Sequence, residues 1–428
     1  MKRFSLIVLA LMVVAAGAMA QEKKLVVWSF TDEIQKMLTY YQKANPDVKI
    51  EFTLVPNDVY QSKLKPVLQS GQGAPDVFTL ESAYVKGYVS SGWMADLTSL
   101  ANGAGKNTMQ YTKDVVTDAN GKVHGMSWQA TPGAFFYRRS LAKEYLGTDD
   151  PVKIQAMIGN LKGFVATGEK LKTASKGKAV LISSTGDLFQ VFKSGRKTPW
   201  VVNNTLKIDP VMESLMDVAK TFHDKGYEGR QQQWTEGWFA GMKGALADEK
   251  GNPVQVFGYL LPTWGLHYVL KPNSTSKTAD GKETTTAGDW AMVQGPIPYF
   301  WGGTWLTAYT KSKNKTEAMK LIEYLTTNEE FLTAWAKDTG DLVSNTKVVD
   351  KIKNTYSEPF LGGQNHYLAF STMTGNINAK ILSGYDQEIE QIFQEQLSAY
   401  QNGEKDKKTA LQDFKDGVAS QFPDLKVN

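Results

Sequence analysis

The chain of 428 residues contains no cysteine. That absence removes disulfides, thiolate zinc sites, iron–sulfur clusters, a cysteine nucleophile and any lipid held through a cysteine. A dominant charge is missing too: 48 Lys and Arg against 44 Asp and Glu leave +4, so no nucleic acid is expected as partner. The four histidines, at 124, 223, 267 and 366, include no pair at the i, i+4 spacing of a helical metal site. Each reads as a surface or core residue, and no metal or other cofactor is expected. A G-x-S-x-G elbow and a Walker A loop are absent, and Gly71-Gln72-Gly73 lacks the third glycine of a dinucleotide fingerprint. Carboxylates are plentiful, so counting leaves open a pair for glycoside hydrolysis, which needs no fixed spacing.

Long apolar runs are confined to the start. Lys2 and Arg3 precede an apolar stretch over 6–16, and Ala18-Met19-Ala20 closes it with small residues. This is the pattern of a secretory signal cut before Gln21, and the run is too short to span a bilayer, which takes about 20 apolar residues. The mature chain is expected to be soluble in the periplasm, without a lipid anchor.

What is present is a folded-protein composition: 42% hydrophobic, 21% charged and 11% aromatic. The length suggests about two to four compact units at roughly 100 to 200 residues each. Residues 24–29 (KLVVWS) read as a buried strand, and Ile34, Met37, Leu38 and Tyr41 place one apolar face on a helix that starts at Thr31-Asp32-Glu33. Asn45-Pro46-Asp47 breaks that helix, and Val48, Ile50, Phe52 and Leu54 alternate as a second strand. A helix over 59–69 and a strand over 75–80 follow. Strand–helix–strand units of this kind make doubly wound α/β architecture.

The alternation returns with a strand at 179–183, a helix opened by Asp209-Pro210 with Val211, Leu215, Val218 and Phe222 inward, and a strand at 254–261. A helix is expected over 316–335, with Met319, Ile322 and Leu325 on one side, and further helices over 387–421. Two α/β lobes accommodate this better than one sheet.

The positive signal for function is 11 Trp. Trp28 closes the first strand, Trp128 follows Gly125, Trp264 follows Leu261-Pro262-Thr263, and Trp301 and Trp305 flank Gly302-Gly303. Ligands of open α/β sheets bind outside the carboxyl ends of the strands, where Trp28, Asn57, Asp58 and Glu81 should project. Flat indoles suit the C–H face of a sugar ring, and neighbouring carboxylates and carboxamides suit its hydroxyls. Trp93, Trp290 and Trp335 read as packing, and Trp200, Trp234 and Trp238 stay unassigned.

In order along the chain stand KLVVWSF at 24–30, NPDVKIEF at 45–52, LQSGQGAPDVF at 68–78, GYVSSGWMADL at 87–97, GKVHGMSWQATPGAFFYRRSL at 121–141, WFAGMKGAL at 238–246 and FWGGTWLTAYTKSKNKTEAMKLIEYLT at 300–326. With these the chain resembles the extracellular solute-binding proteins of bacterial ABC importers, in the branch that includes maltose- and other sugar-binding proteins. The resemblance implies a non-catalytic, monomeric receptor of two α/β lobes joined by a hinge of crossing segments, one lobe at 21–130 plus 300–338 and the other at 131–299 plus 339–428. The lobes would close on a sugar or oligosaccharide and deliver it to a membrane permease. Position by position, it implies ligand contacts from Trp28, Phe30, Asn57, Asp58, Glu81, Trp128, Trp264, Trp301, Gly302, Gly303 and Trp305. Arg138-Arg139 replaces the family's usual Asn, near the hinge, and the lipid-anchoring cysteine of many members is lacking. A receptor for a charged solute, such as a polyamine or metal complex, is the alternative on the same fold. A secreted carbohydrate-active enzyme is the alternative outside it.

Overall fold

The computed structural model describes residues 24–277 and 280–427, and the expected signal segment with its cleavage point lies outside them. Eight strands carry the architecture: β1 Lys24–Ser29, β2 Lys49–Leu54, β3 Val77–Glu81, β4 Gly133–Arg138, β5 Ala179–Ile182, β6 Pro253–Pro262, β7 Trp290–Val293 and β8 Thr304–Ala308. They form two sheets. The first runs β8-β3-β1-β2, with β1 parallel to β2 and β3 and with β8 antiparallel on β3. The second runs β7-β4-β6-β5, with β5 parallel to β6 and β4 antiparallel to both its neighbours.

Local sequence explains the helices. Helix α1, Glu33–Ala44, buries Ile34, Met37, Leu38 and Tyr41, the face its periodicity expects, and keeps Glu33 at its positive end. Helix α2, Asn57–Ser70, stops at Gly71, whose φ of 75° costs glycine nothing. On the second sheet, α3 spans Gly186–Ser194 and α4 spans Pro210–Lys225. The Asp209 carboxylate accepts from the Val211 N–H at 3.0 Å, Pro210 opens α4, and Gly226 ends it. Its buried face is Met212, Leu215, Met216, Ala219 and Phe222; Val211 and Val218, expected inward, lie half-buried beside it.

The single helix expected over 316–335 is two helices, α5 Lys315–Thr327 and α6 Glu329–Thr339. Asn328 breaks it: its backbone is extended, and its side-chain oxygen accepts from the Phe331 N–H at 2.8 Å to start α6. Helices α7, Asp386–Gln401, and α8, Lys407–Gln421, put Ile389, Phe393, Phe414 and Val418 into the core of the second sheet.

Three stretches pass between the sheets side by side. The Ser344 and Ala130 amides donate to Trp128 and Leu342 carbonyls, each at 2.7 Å, and the Trp301 amide donates to the Thr131 carbonyl at 3.1 Å. These segments form the floor on which the two lobes meet. Among the described residues no helix is long and apolar enough to cross a membrane.

Candidate ligand-binding cleft

Between the sheets lies a cleft of about 500 Å³. The first sheet contributes residues 30–33 after β1, Asn57 at the start of α2, Glu81 at the end of β3, and Gly302-Gly303 leading into β8. The second contributes Gln190 and Lys193 from α3, Gln233-Trp234, and Trp264 and Tyr268 after β6. Gln129 supplies part of the floor. Strand ends and helix starts converge here, as open α/β sheets require.

Three indoles make one wall. Trp264 and Trp301 meet edge to face at 5.3 Å, and the Trp264 Nε1–H donates to the Trp301 carbonyl at 3.0 Å. Trp234 lies parallel to Trp264, 13° off and 6.2 Å away, and edge-on to Trp301 at 5.8 Å. Gly302 is required by this packing: its φ is 73°, and a Cβ there would sit 2.8 Å from Trp264 Nε1. The Gly302 carbonyl is held by the Thr131 hydroxyl at 3.0 Å.

Carboxyls and amides line the same cleft. Glu33 Oε1 accepts the Tyr268 hydroxyl at 2.9 Å. Burial, reinforced by the nearby Asp341 charge, pushes the Glu33 carboxyl up to about 8. Glu81 accepts from the Ala83 amide and the Ser82 hydroxyl, each at 2.7 Å, while burial moves its carboxyl upward. Lys193 is paired with Glu390 at 2.9 Å, and Gln233 donates to Asp187 at 2.9 Å. The cleft therefore presents mainly hydrogen-bonding groups, with Lys193 already paired and the exposed Asp32 carboxylate at its edge.

Of the residues singled out from sequence, Phe30, Asn57, Glu81, Trp264, Trp301, Gly302 and Gly303 come together along the cleft. Trp28, Asp58, Trp128 and Trp305 do not. Trp28 is half-buried against the core on β1, two residues before the loop that reaches the cleft. Asp58 is exposed in the first turn of α2. Trp128 is fully buried and donates to Asp341, which also accepts from Trp335; the chain alternates there, so Gln129 takes the cleft side. Trp305 is 1% exposed and donates to the Thr112 carbonyl at 2.7 Å. The sequence missed Glu33, placed only as a helix start, and Gln129, Gln190, Lys193, Gln233, Trp234 and Tyr268. For Trp234 the signal was the polar run 231–233 ahead of a lone aromatic. Trp200 and Trp238, unassigned like it, are fully buried.

Away from the cleft, His267, Glu358 and His366 bring ligand-type atoms within 4.8 Å of one another. Lys271 Nζ stands 2.7 Å from Glu358 and 3.2 Å from His267 Nδ1, so an ammonium already serves as the cation of that cluster.

A model of bacterial extracellular solute-binding proteins matches residues 36–359. The chain belongs to this family. Its members are binding proteins, not enzymes. The fold of this solute-binding protein is that of solved relatives. An extracellular solute-binding protein of family 1 superposes with a TM-score of 0.80 at 19% identity, over 93% of this chain and 99% of that one. The galacto-N-biose-/lacto-N-biose I-binding protein from Bifidobacterium longum, in complex with lacto-N-biose, gives 0.72 at 16% identity, over 95% and 98%. The binding protein from B. animalis subsp. lactis, in complex with β-1,6-galactobiose, gives 0.70 at 18%, over 93% and 97%. In this solute-binding protein Arg138 and Arg139 lie apart from the cleft: Arg138 pairs with Asp289 at 2.6 Å, and Arg139 donates to the Trp290 and Leu361 carbonyls.

Proposed function

We propose that the protein captures a sugar or short oligosaccharide in this cleft and hands it to the permease of an ABC importer, without chemistry on the ligand. The observation that carries the reading is the wall of Trp234, Trp264 and Trp301 lining one cleft with Glu33, Glu81 and Asn57. At about 25 cal/mol per Å² of apolar area, a ring covering about 60 Å² of indole gains on the order of 1.5 kcal/mol before ordering costs. The carboxyls and amides then supply hydroxyl partners in fixed directions. The Bifidobacterium relatives, which hold disaccharides, support the same ligand class.

The lobes in this reading are 21–130 plus 300–338 and 131–299 plus 339–428, with the three crossing segments as hinge. The ligand closes them by binding the closed form more tightly than the open one. The protein works as an exported monomer, freed of its first 20 residues. Mass spectrometry of the exported form checks the last point by its expected start at Gln21.

Thermal shift against a panel of mono- and oligosaccharides, polyamines and metal chelates tests the ligand class. A ligand at 100 times its dissociation constant adds about 2.7 kcal/mol of stability. A sugar should raise the midpoint. A shift with a polyamine and none with any sugar overturns the reading, and release of a shortened product from an oligosaccharide overturns its non-catalytic part.

A further inference from the structure

A second cavity, of about 620 Å³, opens from the cleft at Trp234. Gln190, Gln233 and Trp234 line both, so cleft and groove form one continuous surface. The groove runs between the start of α3, the loop before Trp234 and the end of α7, all on the second sheet's side. Its walls are mostly uncharged: Gln231, Gln232, Gln394 and Asn402 present amides, which donate and accept together. Its buried acid, Glu228, is engaged by His223 at 3.1 Å and by the Thr185 amide at 3.2 Å.

Two further observations mark the junction as built for a ligand. The Gln190 side-chain oxygen is shut off from solvent and has no hydrogen-bond partner; an acceptor left so is costly unless a donor arrives. Trp234 is 48% exposed and has φ 70°, a backbone conformation that residues with a side chain rarely adopt. Its stacking on Trp264 and contact with Trp301 hold that strained, solvent-facing indole in place.

Resting on the sugar-receptor reading, we propose that the groove is a second saccharide-binding stretch. An oligosaccharide held at one end in the cleft passes Trp234, offers a hydroxyl to Gln190, and continues over the amides of the α3–α7 groove. The protein then selects chains of three or more rings over disaccharides. Because one lobe supplies the groove, its contacts exist before the lobes close, and they add affinity without belonging to the hinge motion.

Calorimetric titration with malto-, xylo- and β-galacto-oligosaccharides of two to six rings tests this, using the full protein and the double variant Gln232→Ala, Gln394→Ala. Both residues are exposed, and an unchanged unfolding midpoint checks that the variant folds. In the series that binds, affinity should rise at least tenfold from two to four rings. The variant should keep its disaccharide affinity and lose most of that gain. Affinity independent of length, or a variant that retains the full gain, overturns the groove alone. Failure of the parent protein to bind any of the three series or any sugar of the thermal-shift panel removes the sugar-receptor reading, and the groove with it.

Discussion

The Tyr268 hydroxyl donates to Glu33 Oε1 at 2.9 Å, joining the turn after β6 to the first turn of α1 across the mouth of the cleft. With Glu33 raised to about 8, the bond links two groups that are both largely uncharged at neutral pH. Tyr268→Phe should leave the unliganded midpoint nearly unchanged, since the ring is 45% exposed. It should weaken the sugar complex by the net worth of one hydrogen bond, about 0.5–1.5 kcal/mol or roughly 2- to 10-fold in affinity, measured by calorimetry.

Tryptophans of the two kinds should separate cleanly. Trp264→Ala and Trp301→Ala should each cost at least about tenfold in sugar affinity, about 1.4 kcal/mol. Trp128→Ala leaves a cavity and strips Asp341 of one of its two indole donors. It should cost about 3–5 kcal/mol of stability in urea unfolding.

Gly302→Ala tests the backbone under the aromatic wall. The left-handed conformation costs an alanine about 1–2 kcal/mol, and the new Cβ pushes Trp264 off the Trp301 carbonyl. Stability and affinity should fall together. Gly73→Ala is the control: its φ is 67° and nothing lies within 4 Å of a Cβ there, so only stability should fall.

Stability should decline from about pH 6.5 to 8. Asp187 is fully buried, and burial pushes its carboxyl up to about 8 despite hydrogen bonds from Trp238 and Gln233. The folded state then keeps a proton that the unfolded chain has released, so this contribution is complete below about pH 4 and lost as pH rises through about 8. Glu33 acts in the same direction. His267 and His366, lowered by burial to about 2 and about 4, act in the opposite direction, but below about pH 6.5. Midpoints recorded across pH 6.5–8 should fall in the parent, by at most about 1.4 kcal/mol per unit for each group. Asp187→Asn should remove part of that slope.

Periodicity and capping chemistry made the scaffold legible. The apolar spacing of Ile34, Met37, Leu38 and Tyr41 and the Asp209-Pro210 start are local signals, and local signals survive folding. The Asn328 break was hidden because the apolar pattern continues across it. In the site, residues at or directly after the end of a strand were readable, as with Glu81 and Phe30. Alternation then divided neighbours in a way that residue type does not announce: Gln129 faces the cleft while Trp128 packs, and Thr304 lines it while Trp305 turns inward. Gln190 and Tyr268 reach the cleft only because the second lobe is placed over the first, a relationship with no trace in local spacing.

The parallel indoles of Trp234 and Trp264, 6.2 Å apart, have an optical consequence. Transition dipoles that close couple, and Trp238 at 5.1 Å and Trp301 at 5.8 Å from Trp234 join them, so the cluster should split its ultraviolet absorption into opposite-signed circular-dichroism bands. A ligand that slides along Trp234 or turns its ring changes that splitting directly, giving the protein an intrinsic, label-free readout of occupancy at the junction of cleft and groove.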